Sequence, residues 1–255
     1  MIDTHCHLLP NIDDGSRSVD QSVAVLKEFA RAGVTDVVLT PHLAASAIGE
    51  RGEQAIEKRA QAFDQLRRAA PQVPRLVLGF EIMLDQPLPV LAMGDRRFSL
   101  AGSRYYLVEF PLTIVPQFAV GSLQQMSRAG AIPLVAHPER YEACSVEAVA
   151  MWRSAGARIQ VDATTLTRPH GRGKKARDLV QAGLADLVAA DNHGDNRSVR
   201  TAADYLRECG GERAVAALTT GNPGAILRDT EMSGVPRVEI KSGGIVGRIA
   251  RLFGQ

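Results

Sequence analysis

Seven short apolar segments rich in β-branched residues recur along the 255-residue chain, and helical patterns separate most of them. The segments are residues 1–5, 34–40, 75–81, 105–110, 132–137, 157–162 and 185–191. Most are continuous apolar runs, as in parallel strands that are buried on both faces of a sheet. This alternation predicts an α/β fold with a parallel sheet, and seven units favour a closed or nearly closed barrel.

The helices between these segments carry start and stop signals of their own. Ser18 and Gln21 have the spacing of a capping box and predict a helix that ends near Gly33. Further helices are predicted at 53–70, 116–129, 145–155 and 174–182, and Ser198 is predicted to cap one more. The segment 43–54 contains small residues and glycines, and it is predicted to be a mobile lid, a peptide-docking edge or an ordinary surface loop.

A single domain is predicted over residues 1–230, because no linker or repeat interrupts them. Residues 231–255 differ in composition, and 245–253 (IVGRIARLF) contain the apolar and basic residues of a short amphipathic helix. We expect this tail either to lie loosely on the protein or to rest on a membrane surface or a partner.

Composition excludes several classes of protein. With 30 Lys and Arg against 28 Asp and Glu, the formal net charge is +2, which argues against a nucleic-acid-binding protein. We expect no membrane-spanning helix, because no run of 18 apolar residues is present, and no signal peptide, because the chain begins with polar motif residues. Three cysteines are too few for a disulfide framework, so we expect a reducing, cytoplasmic environment.

Metal-ligating side chains stand at the ends of six of the seven predicted strands. His5 and His7 are two residues apart in the first strand, so their imidazoles point to one face and Cys6 to the other. Five more strands end in or just before His42, Glu81, Glu109, His137 and the pair Asp191 and His193, and Asp13 and Asp14 follow the first strand. The carboxyl ends of parallel barrel strands converge on one face, where active sites lie. The pattern therefore predicts a centre of divalent metal ions.

The motifs MIDTHCHLLPNIDDG, TPH, GFE, VEF, AHPER and ADNH occur in this order. Together they resemble the PHP (polymerase and histidinol phosphatase) superfamily, and more closely its bacterial protein-tyrosine phosphatases of capsule and exopolysaccharide loci. The resemblance implies a distorted (β/α)7 TIM-like barrel, the PHP fold, with the metal site at the C-terminal ends of the strands. It implies a metal-dependent phosphomonoester hydrolase that acts on an autophosphorylated tyrosine kinase controlling capsule or exopolysaccharide synthesis.

The resemblance also implies three divalent metal ions, with Mn²⁺ favoured and Fe, Zn or Mg as alternatives. It assigns His5, His7 and Asp191 to the first ion, Glu81 as a bridge to the second, Glu109 and His137 to the second, and Asp14, His42 and His193 to the third. Asp13 is the alternative to Asp14, and is otherwise expected to orient a ligand or the loop.

The charge of such a centre suits a phosphate monoester. Four of the nine ligands are carboxylates, so three divalent ions leave a net positive charge, and a bridging hydroxide is expected to attack phosphorus. Arginine binds phosphate through paired hydrogen bonds. Arg140 and Arg197 follow ligating histidines closely and are predicted to bind the phosphate and take part in catalysis, with Arg17 as a further candidate. A solvated surface arginine is the alternative for each.

Other functions remain open on the sequence alone. A phosphatase of a small molecule such as histidinol phosphate would share the metals and the mechanism, and a PHP module without catalysis would act as a structural or regulatory partner. A binuclear amidohydrolase also uses His-x-His, but its usual bridging lysine is absent, because all five lysines fall in predicted helices or the tail. A cysteine-dependent tyrosine phosphatase is disfavoured, because the C-x5-R pattern is absent.

Overall fold

The structure is a computed structural model that describes residues 1–240. Its strands are β1 (Ile2–Cys6), β2 (Asp36–Leu39), β3 (His42–Ala44), β4 (Arg75–Leu78), β5 (Glu81–Met83), β6 (Tyr105–Glu109), β7 (Ile132–Ala136), β8 (Arg158–Asp162) and β9 (Leu187–Ala189). Its α-helices are α1 (Val19–Arg31), α2 (Ala45–Ala69), α3 (Val90–Gly94), α4 (Pro116–Arg128), α5 (Val146–Ser154), α6 (Arg172–Gln181), α7 (Val199–Glu208), α8 (Glu212–Ala216) and α9 (Asn222–Arg228). None of the helices in this part of the chain is both long and apolar enough to traverse a bilayer.

The strands form two sheets, and every strand pair is parallel. One sheet has the order β1-β2-β4, and the other has the order β3-β5-β6-β7-β8-β9. The nine strands form seven neighbouring passes of the chain, in sequence order: β1, β2 with β3, β4 with β5, β6, β7, β8 and β9. Helices lie between most of these passes. This arrangement confirms the predicted parallel α/β fold.

The second and third passes are each interrupted once, where the sequence predicts single strands. Residues 40–41 separate β2 from β3, and residues 79–80 separate β4 from β5. Proline has no N–H to donate, so Pro41 weakens the regular pairing at the first break. The N–H of Glu81 donates to the carbonyl of Pro41 at 3.1 Å, and this bond carries the pairing of the two passes across the gap.

The first pass also meets the last one. Cys6 pairs with Asn192 in an isolated parallel bridge, and the N–H of His7 donates to the carbonyl of Asn192 at 2.7 Å. Nearer the start of β1, Asp3 Oδ1 accepts a hydrogen bond from the N–H of Ala190 at 3.1 Å. These contacts hold the start of the chain against the segment that follows β9.

The strands are buried on both faces, as the continuous apolar runs predict. In β6, Tyr106 and Val108 belong to the large core between the sheet and the helices, whereas Tyr105 and Leu107 belong to a smaller apolar cluster that includes Leu134 of β7. Adjacent side chains of one strand thus enter two different apolar layers, as the two-residue period of a strand requires.

Helix α2 begins eight residues earlier than predicted, and this corrects the prediction of a lid or loop over 43–54. Its first turn has no side-chain cap of its own. Instead, Asp85 from the loop after β5 accepts hydrogen bonds from the N–H of Ser46 (3.0 Å) and from its hydroxyl. Gly52 lies inside this helix, where a β-carbon would come within 3.2 Å of the ring of Phe98.

Residues 231–240 form no helix or strand, yet they pack on the body of the protein. Val238 and Ile240 are buried, and Asn222 of α9 exchanges two hydrogen bonds with the backbone of Ser233, at 2.9 and 3.0 Å. The predicted domain boundary near residue 230 stays a prediction. The predicted amphipathic helix at 245–253 lies outside the described residues.

Tyr141 ties together the ends of two strands that carry predicted ligands. Its buried hydroxyl donates to the carbonyl of Ala136 at 2.8 Å and accepts from the N–H of Phe110 at 3.2 Å. Tyr141→Phe leaves both backbone groups without this partner, so we expect a loss of about 1–3 kcal/mol in the free energy of unfolding, measured by urea denaturation.

Tyr205→Phe is the matched control, because the Tyr205 hydroxyl is next to the side chain of Cys209 and makes no hydrogen bond to the backbone within residues 1–240. It should change stability by less than about 0.5 kcal/mol. Equal stability of both variants would show that the Tyr141 hydroxyl does not hold the two strand ends.

Candidate metal centre

All nine ligands that the sequence predicts lie at the carboxyl ends of chain passes or in the loops that follow. His5 is in β1, His42 begins β3, Glu81 begins β5, Glu109 ends β6, and the loops after β1, β7 and β9 carry His7, Asp14, His137, Asp191 and His193. Because all strand pairs in the two sheets are parallel, these positions lie together at the carboxyl ends of the strands, which form one edge of the sheet structure. The structure brings all nine side chains together there.

The donor atoms form three overlapping groups, in each of which one donor per residue lies within 4.8 Å of the others. The groups are His5, His7, Glu81 and Asp191; His42, Glu81 and Glu109; and His7, Asp14, His42 and His193. His137 stands beside the second group, with its Nε2 2.9 Å from Glu81 Oε1 and 3.9 Å from Glu109 Oε2. Glu81 belongs to two groups, as a bridging carboxylate would.

His42 lies between two of the donor groups. Its Nε2 lies 3.2 Å from Asp14 Oδ1, which agrees with the assignment to a third ion. Its Nδ1, however, lies 2.9 Å from Glu81 Oε2 and 3.4 Å from Glu109 Oε1. One imidazole therefore faces two groups, a detail that spacing in a sequence does not indicate.

The contacts of Glu81 test whether this centre suits a metal ion. Its Oε2 lies 3.2 Å from His5 Nε2 and 3.3 Å from His7 Nε2, yet it makes no hydrogen bond of acceptable geometry within the described residues. The two histidine nitrogens are themselves only 3.0 Å apart. Two imidazole nitrogens and a carboxylate oxygen that converge at these distances fit a shared cation, so the donor set fits divalent metal ions.

The electrostatics of the group also favour positive charge. Burial lowers the pKa of His42, but the adjacent carboxylates of Glu109 and Glu81 outweigh burial and raise the pKa to about 10. Glu81 shows the converse, because burial raises its pKa whereas attraction to His5 and a hydrogen bond with His137 hold the pKa well below its usual range. The carboxylates therefore require cations at their centre, whether protons or metal ions supply them.

Asp13 and Asp14 have separate roles in the structure. Asp14 Oδ1 faces the centre, 3.4 Å from His193 Nε2. Asp13 faces away from it, where Oδ2 lies 2.8 Å from His7 Nδ1 and accepts from the N–H of His42 at 3.2 Å. This geometry favours Asp14 as the ligand and gives Asp13 the orienting contact that the sequence analysis expected of it.

Two of the predicted ligands have unusual backbone conformations. His137 has a φ of 32° and Asp191 a φ of 50°, both in the left-handed region that residues other than glycine seldom adopt. His137 directly follows β7, and Asp191 lies two residues after the end of β9. Such conformations persist where the surroundings hold them, and they are common at functional sites.

Arg140 and Arg197 both reach Asp191 at the edge of the centre. Arg140 Nη2 donates to Asp191 Oδ2 and lies 3.4 Å from Asp162 Oδ2. Arg197 Nη1 lies 3.5 Å from the same oxygen of Asp191, and its Nε donates to Asp195 at 2.8 Å. Both side chains are partly exposed, 27% for Arg140 and 23% for Arg197, so neither is fully buried beside the predicted ligands.

Arg17 is exposed, on the loop that also carries Asp13 and Asp14. Its backbone N–H donates to the side chain of Gln21 at 2.9 Å, next to the start of α1, where Ser18 forms the predicted N-cap. Its part in phosphate binding stays a prediction.

Three buried polar residues near the centre were not identified from the sequence. Gln160 on β8 contacts His5, and Glu139 Oε1 accepts from the N–H of Asp162 at 2.8 Å. Burial and the nearby Asp162 raise the pKa of Glu139 to about 7. Of these three residues, only Asp162 could have been identified from the sequence, because it ends the one predicted strand to which no ligand was assigned.

Comparisons with known proteins agree with this geometry. The family described as "Capsular polysaccharide synthesis, CpsB/CapC" matches residues 1–228. The tyrosine-protein phosphatase YwqE of Bacillus subtilis is 32% identical over 202 residues, which cover 76% of this chain and 77% of that protein. The tyrosine-protein phosphatase CpsB of Streptococcus pneumoniae is 30% identical over 245 residues, which cover 90% of this chain and 99% of that protein.

A solved structure extends the similarity to three dimensions. It comes from a crystallographic study of YwqE from Bacillus subtilis and CpsB from Streptococcus pneumoniae, described as unique metal-dependent tyrosine phosphatases. The match has a TM-score of 0.75 and 27% identity, and it covers 94% of this chain and all of the other.

Metal binding should stabilise the folded protein, because the assembled donors exist only when the chain is folded. After removal of metal with a chelator, added Mn²⁺ at 100 times its Kd should contribute about 2.7 kcal/mol, measured as a rise in Tm. Glu81→Gln should lose most of this stabilisation, because Glu81 belongs to two of the three groups.

Glu57→Gln, on the exposed side of α2, is the control and should respond to Mn²⁺ as the wild type does. A Glu81→Gln variant that Mn²⁺ stabilises as strongly as the wild type would contradict the assignment of this centre.

Proposed function

Because the chain belongs to the CpsB/CapC family of capsular polysaccharide synthesis, we propose that it is a metal-dependent tyrosine-protein phosphatase. The observation that carries the proposal is the convergence of nine histidine and carboxylate side chains at one edge of a parallel sheet. Two relatives that match most of the chain carry the name of tyrosine-protein phosphatases.

We assign the nine convergent residues as ligands of three divalent ions, with Mn²⁺ favoured. The overlap of the three donor groups at Glu81, His7 and His42 supports more than one ion. We also propose that the seven passes close into the distorted (β/α)7 barrel of the PHP fold. The bridge between Cys6 and Asn192 supports this closure.

The chemistry divides between the ions and the side chains around them. Bound divalent ions would supply a water that ionises near neutral pH and would polarise the phosphoryl oxygens. Arg140 and Arg197 would donate guanidinium N–H groups to those oxygens, since their charge is permanent and their donors are in a planar fork. Asp191 Oδ2 accepts from both guanidinium groups and so holds them at the edge of the centre, where they could bind a phosphate.

A groove beside the centre offers a place for the tyrosyl ring. It has a volume of about 460 Å³ and lies between the loop after β1 and helix α2. Its lining includes Asn11, His42, Lys58, Gln65 and Phe80, so it combines apolar and polar surface. His42 belongs to both the groove and the centre, which would let a ring lie in the groove while its phosphate meets the predicted ligands.

We propose that the substrate is a phosphotyrosine-bearing protein, such as an autophosphorylated bacterial tyrosine kinase. The openness of the metal-bearing edge, where His42 and Asp14 are exposed, supports a protein substrate. We also propose a cytoplasmic location, where the three free cysteines would stay reduced.

Hydrolysis of a phosphotyrosine peptide, measured beside histidinol phosphate, tests the function. We expect turnover of the peptide by the Mn²⁺-loaded protein, little turnover after chelation, and recovery when Mn²⁺ is restored. A preference for histidinol phosphate would keep the fold and the centre but assign a small-molecule substrate. Turnover of neither ester by the metal-loaded protein would contradict the proposed phosphatase.

The role of Arg140 can be separated from that of the ligands. Arg140→Ala should lower kcat/KM for the phosphotyrosine peptide about 10- to 100-fold, the value of one charge-assisted hydrogen bond of about 1.5–3 kcal/mol. Metal content should be unchanged, because the variant removes a cation and not a ligand from the surroundings of Asp191.

Arg128→Ala, at the exposed C-terminal end of α4, serves as the control and should keep full activity. Loss of metal from the Arg140→Ala protein, measured by elemental analysis, would instead make Arg140 a residue that maintains the centre.

A further inference from the structure

Gln160 is a buried polar residue for which the proposed chemistry gives no role. It lies in the middle of β8 with no exposed surface, and its amide end is 2.9 Å from Nδ1 of His5, which is equally buried. As placed, the amide nitrogen faces the ring, and Oε1 has no donor within residues 1–240. A buried amide oxygen without a partner is costly, so this contact requires an explanation.

The other nitrogen of His5 restricts what this contact can be. Nε2 points into the centre, 3.2 Å from Glu81 Oε2 and 3.3 Å from Asp191 Oδ1. To bind a cation, Nε2 must present its lone pair, so the proton of the neutral ring must be on Nδ1. An Nδ1–H needs an acceptor, and the amide can provide one only through its oxygen.

Two other histidines of the centre, His7 and His193, have Nδ1 against an oxygen. His7 Nδ1 lies 2.8 Å from the carboxylate of Asp13, and His193 Nδ1 lies 3.0 Å from a backbone carbonyl. A half-turn of the Gln160 amide, which exchanges two groups of similar shape, gives His5 the same arrangement. After this exchange Oε1 has a donor, the Nδ1–H of His5.

We propose that Gln160 is a positioning residue for the metal centre, whose Oε1 accepts the Nδ1 proton of His5 and thereby keeps His5 Nε2 free to bind a metal ion. This inference rests on the proposed metal-dependent function. A neutral amide suits the position because His5 already faces two buried carboxylates, Glu81 and Asp191, and a third buried charge would add a desolvation cost.

Two substitutions separate an acceptor from a space-filling residue. Gln160→Met keeps the approximate volume but removes the acceptor, whereas Gln160→Glu keeps an acceptor oxygen. We expect the affinity of the chelated protein for Zn²⁺, measured by competition with a chelating dye, to fall about 10- to 100-fold in Gln160→Met. Gln160→Glu should bind Zn²⁺ at least as tightly as the wild type.

Asn222→Leu is the matched control, because Asn222 is an equally buried amide whose partners, the carbonyls of Asp186 and Ser233, are not among the predicted ligands. It should lower stability but leave the Zn²⁺ affinity unchanged. Wild-type affinity in Gln160→Met, or an equal loss of affinity in Gln160→Glu and Gln160→Met, would overturn the proposal.

The tautomer of His5 provides a readout in the wild-type protein that can contradict the proposal even if Gln160→Met does not fold. In the Zn²⁺-loaded protein, ¹⁵N NMR should show the proton of His5 on Nδ1, and a proton on Nε2 would overturn the proposal. Neither measurement uses the phosphatase assay. A failure of the proposed function would appear separately, as a wild-type protein that binds Zn²⁺ and Mn²⁺ but hydrolyses no phosphate ester.

Discussion

The buried carboxylate of Glu81 is the constraint on which the rest of the centre depends. It has no exposed surface, and the side chains of His5, His7, His42 and His137 all approach it within 3.3 Å. A carboxylate in such a place is tolerated only with cationic or hydrogen-bonding partners. Because these partners come from the first, second and fifth passes of the chain, Glu81 determines how closely the ends of distant strands approach.

The nitrogens that point away from Glu81 determine how the imidazoles are held. Asp13 contacts the outward nitrogen of His7, the amide of Gln160 contacts that of His5, and a backbone carbonyl contacts that of His193. These contacts come from two loops and one strand, so the geometry of the centre depends on the whole carboxyl edge of the sheet. A layer of this kind lets the sheet supply rigidity while strand ends and loops together supply the predicted ligands.

Features that depend on local pattern can be predicted from the sequence, and features that depend on contacts between distant segments cannot. The apolar runs and their parallel order place all nine predicted ligands at one edge without knowledge of any contact. The start of α2 is different, because Asp85, 39 positions further along, binds Ser46. Nothing local marks Gln160 as a neighbour of His5, since 155 positions separate them. Asp162 could have been recognised, because it ends a predicted strand.

The contact between Asp3 and Ala190, which are 187 positions apart, has a consequence for the order of events during synthesis. During translation, His5 and His7 leave the ribosome long before the residues that face them at the other end of the sheet. Asp191 and His193 are translated more than 180 residues later, so His5 and His7 lack these neighbours while the intervening strands form. A metal ion held by all nine predicted ligands would therefore require a chain that has been translated at least as far as His193.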